Sequence, residues 1–148
     1  MITSPSRQTI LDRLRVRPIE DVPHPGIEPS RLVQYPDPVK KFEEILTWVG
    51  GRVHHVNQLC EVQPVLSGLP EFASARWIGS TVPEAVEGNF HLAQVDDPHS
   101  LASLDWSIMA GEFGVAENGA IWVPAANLTQ RTMLFIAQHL VLILSRSE

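Results

Sequence analysis

Apolar positions recur at helical spacing in two stretches near the start of the chain and condense into short runs over the rest. Ile10, Leu11 and Leu14 form a narrow stripe behind Ser4-Pro5, a good N-cap and first-turn pair, which predicts a first helix. A second helix is predicted from Asp37-Pro38, with Val39, Phe42, Ile45, Leu46 and Val49 on one face and Gly50-Gly51 as its stop. Between them, residues 18–36 are rich in proline and lack a steady period, as expected of an extended connector over the surface.

The runs that follow are shorter. A strand is predicted at residues 52–56, where adjacent His54 and His55 would point to opposite sheet faces and could not share one metal. A short helix weakened by Pro64 fits residues 58–69, a strand 75–78, a loop or single helical turn 81–88, and a third strand 90–95. Asp97-Pro98 opens a helical piece ending near Leu104, followed by strands at 105–110 and 120–123 and a short helix at 131–137. Residues 139–144, HLVLIL, read as a strand buried on both faces. Helices alternating with short apolar strands predict an α/β domain, a three-layer α/β/α sandwich around a mostly parallel sheet. The expected division is residues 1–36, helix and connector, and 37–148, the α/β body. The chain stops four residues after the last apolar run, at Ser-Arg-Ser-Glu. A strand with open faces wants a covering helix, so either the domain is trimmed there or further residues complete it.

Composition narrows the function classes. The chain has 148 residues, 44% hydrophobic and 19% charged, enough for a core without disulfides or metal. Eleven basic against seventeen acidic residues leave a net charge of −6, which disfavours a nucleic-acid or anionic-membrane surface as the main business. Arg7, Arg13, Arg15 and Arg17 carry four of the eleven positive charges, so the first helix is a solvated basic face or a docking face for an acidic partner. Cys60 stands alone and cannot by itself hold an iron–sulfur cluster or structural zinc, so no cofactor or metal is expected. No apolar run approaches the ~20 residues of a membrane span, and a reduced cytoplasmic compartment is the expectation.

The candidate chemistry concentrates in residues 105–124, DWSIMAGEFGVAENGAIWVP, where apolar runs flank a glycine-punctuated turn bearing Glu112, Glu117 and Asn118. A carboxylate at Glu117, with apolar neighbours reducing its solvation, is the candidate catalytic or ligand-binding group. Alternatively it pairs with Arg131 or caps a turn, and Asn118-Gly119 between apolar runs is itself a strong hairpin signal. Gly111 and Gly114 either bring backbone N–H groups to an anion or serve turn geometry. Arg131, the only basic residue between Arg76 and Arg146, either holds a substrate carboxylate or pairs with Glu117 or Asp105. Asp96, Asp97 and His99 read as a turn with an Asx cap, and His139 as a hydrogen-bonded core histidine.

The segment SLASLDWSIMAGEFGVAENGAIWV, then Arg131 and HLVLIL, resembles the LUD-domain family, the lactate-utilisation protein C group. Its pattern is an acidic residue opening a strand, an alanine- and glycine-bearing turn, an acid-Thr-Gly-Thr motif, an arginine and a final apolar strand. The first helix, connector, Phe-containing helix and Gly-Gly agree with it. The resemblance implies a fold similar to the ribose-phosphate isomerase and CoA-transferase superfamily. It also implies an accessory or ligand-binding role beside iron–sulfur proteins that oxidise L-lactate, with Asn118, Gly119, Gly114 and Arg131 binding the ligand. One departure stands out: acid-Thr-Gly-Thr is Glu117-Asn118-Gly119-Ala120 here, without either hydroxyl. Ala-Glu-Asn-Gly is similar instead to the Ser-Glu-Asn-Gly of class I CoA transferases, whose glutamate is the nucleophile. That similarity implies an alternative, an acyl- or CoA-transferase-like enzyme acting on a CoA thioester through Glu117. A third alternative is a non-catalytic interaction module whose motif only shapes a turn.

Overall fold

The computed structural model describes residues 5–16, 22–23, 25–26, 28–128 and 130–146. It contains two compact units, Met1–Val33 and Gln34–Glu148. The first holds helix α1 (Pro5–Arg15), with Arg13 and Arg15 in its last turn, and a 3₁₀ turn at Pro29–Arg31. Ile10 and Leu14 of its stripe are exposed. The expected cap at Ser4 and the charge at Arg17 lie outside the described residues.

The second unit begins with α2 (Pro38–Trp48). Asp37 caps it by accepting a 2.9 Å hydrogen bond from the Lys40 backbone N–H, with Pro38 in the first turn. Gly50, at φ +92°, ends it while the Gly51 N–H returns to the Leu46 carbonyl at 2.8 Å. Then come α3 (Val62–Ser67), α4 (Pro70–Ala73), β1 (Ile78–Ser80), β2 (Trp106–Ala110), β3 (Phe113–Val115), β4 (Ala120–Trp122), α5 (Met133–Ile136) and β5 (His139–Ile143). A 3₁₀ helix at Pro98–Ser103 precedes β2, capped by Asp97 as its Asp-Pro start suggests.

The fold is mixed α/β. Strands β1, β2 and β5 form a three-stranded parallel sheet in the order β1-β2-β5, registered by Ile78↔Trp106 and Trp106↔His139. Successive side chains of β2 enter two cores. Trp106 and Ile108 pack with Val62, Leu66, Phe72 and Val86 on one side. Met109 packs with Leu101, Leu104 and Met133 on the other. Within the first core Phe72 meets Trp106 edge to face at 5.2 Å, and His139 stacks on Trp106 at 4.3 Å.

One aspartate sets the register. The Asp105 carboxylate accepts the backbone N–H groups of Arg76 (2.7 Å) and Trp77 (2.9 Å) through Oδ2. Its own N–H donates to the Trp77 carbonyl at 3.0 Å, and its carbonyl accepts the His139 N–H at 2.9 Å. The two bonds to the side chain, that from the Trp77 N–H foremost and then that from Arg76, hold the Asp105 carboxyl below the usual carboxylate range. On the far side of β1, Asn89 substitutes for a missing strand. Its Oδ1 accepts the Ile78 N–H at 2.7 Å and its Nδ2 donates to the Arg76 carbonyl at 2.9 Å.

Five expectations change. The strand expected at 75–78 runs instead over Ile78–Ser80, because Asp105 takes the Arg76 and Trp77 N–H groups with its side chain. Residues 52–56 carry no strand, so nothing imposes alternation on His54 and His55. Residues 90–95 form a 3₁₀ turn at Leu92–Gln94, because the chain before it closes the edge of β1 through Asn89 and tucks Phe90, Leu92 and Val95 into the second core. The strand expected at 120–123 belongs to a separate antiparallel hairpin with β3, outside the parallel sheet. The last apolar run is an edge strand with Leu140 41% exposed. Burial on both faces falls to the central strand, β2.

Asp105, the residue before β2, and Ser107 within it each carry a stability prediction. Because the Asp105 pKa is lowered on folding, its contribution is fully present above the unfolded carboxylate pKa and is lost as pH falls through the folded value. Asp105→Asn is therefore expected to cost about 1 kcal/mol at pH 7, discounted for partial exposure. It should also flatten the acid limb of stability in urea titrations run between pH 7 and pH 3. Ser107 Oγ, buried in β2, has no hydrogen-bond partner among the described residues. Ser107→Ala is expected to leave the melting temperature unchanged or raise it, by up to about 1 kcal/mol of stability.

Candidate functional site

The chain leaves β2 through Gly111, whose N–H donates to the Ile143 carbonyl at 2.9 Å, and Glu112, whose N–H donates to the Trp122 carbonyl at 2.8 Å. It thereby turns directly into the β3–β4 hairpin. Phe113 pairs with Trp122 and Val115 with Ala120 across a four-residue loop, residues 116–119. A two-residue Asn-Gly turn would need positive φ at both positions. Among the described residues no non-glycine has one, and Gly119 alone adopts it here, at +71°. Its N–H closes the loop on the Val115 carbonyl at 2.9 Å, and Asn118 Oδ1 accepts the Ala120 N–H at 3.0 Å.

The hairpin lies against α2. A Cβ at Gly114 would fall 2.8 Å from the Phe42 ring, and one at Gly119 would fall 3.2 Å from Ile45 Cγ2. Between this hairpin, α2, residues 52–55 and the exit of β5 lies a cleft of about 470 Å³. Its apolar wall includes Phe42, Leu46, Ile121 and Leu144, and its polar lining includes Glu43, Arg52, His54, His55, Glu112 and Arg146. The cleft opens past the carboxyl ends of β2 and β5, the end of a parallel sheet where α/β folds bind ligands. Its volume is within the ~300–1,000 Å³ of ligand pockets. A second hollow, about 250 Å³ beside Trp77 and Phe90, is smaller than that range.

Inside the cleft His55 Nε2 lies 3.0 Å from Glu43 Oε1. Arg52, Arg146 and Glu112 make no ion pair among the described residues. Two exposed arginines without carboxylate partners thus line a partly apolar hollow, a setting suited to receiving an anion. Among the described residues no three His, Cys, Asp or Glu side chains are grouped to hold a metal ion.

Of the residues singled out from sequence, Glu112 and Gly114 line the cleft; Glu117, Asn118, Gly119 and Arg131 are not among its lining residues. Glu117 is exposed at the loop and makes no ion pair or hydrogen bond among the described residues. Arg131 is exposed at the entry to α5, its carbonyl accepting the Leu134 N–H at 3.2 Å, and no ion pair joins it to Glu117 or Asp105. Arg52 and Arg146 were missed, and His54 and His55 were weighed only as metal ligands, since the convergence of residues 52–55 with 144–146 depends on packing around the sheet end. The usable signal was the rule that ligands sit past the carboxyl ends of parallel strands, applied to the residues after HLVLIL.

The loop geometry carries its own test. Gly119→Ala is expected to cost about 1–2 kcal/mol, the penalty of a left-handed conformation for a residue with a Cβ. Glu117→Gln should leave the thermal unfolding midpoint within about a degree of wild type, because its carboxylate supports no contact; circular-dichroism melts distinguish the two. Compared with protein-family models, curated proteins and solved structures, the chain matches none of them.

Proposed function

We propose that this chain is a ligand-binding or accessory subunit of a cytoplasmic organic-acid oxidation system of the LUD-domain kind, with L-lactate the acid that the sequence resemblance names. On this reading the body is a three-layer α/β/α sandwich of the ribose-phosphate isomerase and CoA-transferase type. The two cores on either side of β2 support that layering. Iron–sulfur proteins are the proposed partners and carry the electrons, since Cys60 is a lone exposed thiol. The observation that carries the reading is the pair of unpartnered arginines, Arg52 and Arg146, lining a cleft past the ends of β2 and β5. A carboxylate entering there gains charge-assisted hydrogen bonds, and Phe42, Ile121 and Leu144 exclude water around it. This moves the proposed ligand away from Glu117, Asn118, Gly119 and Arg131. It also weighs against Glu117 as an acyl-accepting nucleophile, because Glu112, not Glu117, faces the cleft.

Titration calorimetry with L-lactate and with pyruvate at pH 7 and low salt tests the proposal. Wild type is expected to bind one or both acids. Arg52→Ala and Arg146→Ala should each weaken binding about tenfold or more, the equivalent of one charged hydrogen bond, and Arg131→Ala should not. Binding that survives both cleft substitutions but is lost with Arg131→Ala would return the site to the motif arginine and overturn this assignment.

A further inference from the structure

We infer that the cleft is a slot for an extended peptide segment of a partner chain, which pairs with the open edge of β5 and sets an acidic side chain against Arg52 and Arg146. This deepens the accessory-subunit reading and rests on its premise that the two arginines receive a carboxylate.

The backbone carries the first argument. In the register that aligns Trp106 with His139 and Ala110 with Ile143, the His139 N–H donates to the Asp105 carbonyl and the Ile143 carbonyl accepts the Gly111 N–H. Parallel pairing alternates, so His139, Val141 and Ile143 turn their peptide groups to β2, while Leu140 and Leu142 turn theirs away. Among the described residues nothing takes up these outward groups, nor the backbone groups of Leu144, Ser145 and Arg146 that follow. The opposite edge of the sheet differs, because there Asn89 and Phe90 occupy the Ile78 groups. Arg52, Val53, His54 and His55 likewise make no backbone hydrogen bond among the described residues. They line the same cleft as Leu142, Leu144 and Arg146. Two walls of one cleft thus carry unused peptide groups. Along a strand edge such groups recur every second residue, about 7 Å apart, a spacing that a single carboxylate does not match and a peptide strand does. The edge also lacks the proline, bulge or inward charge that usually blunts one.

Charge carries the second argument and selects the occupant. Arg52 and Arg146 are exposed in the cleft without an ion pair among the described residues, while Glu43 is engaged by His55. Glu112 lines the cleft at the exit of β2, so an incoming acid belongs on the β5 side, beside Arg146. Residues 138–146 contain no acidic side chain. A second copy pairing its own β5 here would bring another arginine and no carboxylate, whereas an acidic segment meets both charges. Phe42, Leu46 and Leu144 give apolar side chains of the same segment a wall to cover.

Selection from a displayed random-heptapeptide library on the full chain is the experiment, followed by calorimetry and amide hydrogen exchange with the enriched peptide. Enriched sequences are expected to share an acidic residue among β-branched or aromatic neighbours. Binding should slow exchange of the Leu140 and Leu142 N–H groups roughly tenfold or more and leave those of Val141 and Ile143, already bonded to β2, unchanged. Converting the peptide's acid to its amide, methylating its alternate amide nitrogens, or Arg146→Ala should each weaken binding about tenfold. No enrichment, binders without an acidic residue, or unchanged exchange at Leu140 and Leu142 would overturn the inference. So would a free chain that sediments as a dimer with those two amides already slow, since a second copy then holds the edge. L-Lactate binding that depends on Arg52 and Arg146, with no enriched peptide, sinks the strand pairing and leaves the arginine site standing. Binding of either ligand that ignores both arginine substitutions overturns the arginine site and this inference together.

Discussion

Three strands separated by about thirty residues each are brought into register by Asp105, and the rest of the body depends on that alignment. Its side chain and backbone together engage Arg76 and Trp77 at the entry to β1 and His139 at the first position of β5. Parallel strands have no tight turn to set their alignment, so a local device that binds both neighbours of the central strand is physically useful. A slip of one residue would exchange Trp106 and Ile108 for Ser107 and Met109 between the two cores. Both faces of β2 are buried, so neither core could absorb the exchange in solvent. Trp106 reinforces the arrangement from the side, with Phe72 on its edge and His139 against its face.

Alignment at the start of the sheet determines what meets at its other end. Once β2 and β5 run together from Trp106↔His139 to Ala110↔Ile143, the residues that follow each strand emerge side by side. One continuation turns into the hairpin, and the other carries Leu144 and Arg146 along the cleft wall. Helix α2 closes the third side because the hairpin is narrow where it crosses the helix: Gly114 admits the Phe42 ring and Gly119 admits Ile45. Larger side chains at either position would push the hairpin off the helix and open the cleft to water. The carboxylates divide accordingly: both are exposed, but Glu112 lines the cleft at the base of the hairpin and Glu117 stands at its loop, away from it.

Much of the local structure was legible in the residues. Asp37-Pro38 and Gly50-Gly51 bound α2, and Asp97-Pro98 opens the 3₁₀ helix before β2, because caps and glycine stops act over one turn of chain and need no distant partner. The hairpin was readable from Asn118-Gly119 for the same reason. Its loop was less so: a turn twice the length of the minimal Asn-Gly type uses glycine at only one left-handed position. Apolar content misled where position in the sheet mattered, since HLVLIL would suit a central strand and occupies an edge. Alternation failed at residues 52–56, where no neighbouring strand enforces it.

Read from neighbouring residues alone, the chain already specifies the α/β class, the limits of α2, the hairpin turn and the weight of candidate chemistry in residues 105–124. These follow from propensity, capping and periodicity, which are properties of neighbouring residues. Packing in three dimensions settles which strand is central, that Asp105 is a register pin, and that Arg52, His54 and Arg146 share a cleft with Glu112 while Arg131 and Glu117 stand outside it. Such groupings join residues nearly a hundred positions apart through strand order and helix docking. Those are cooperative outcomes of burying two cores at once, and no local pattern encodes them.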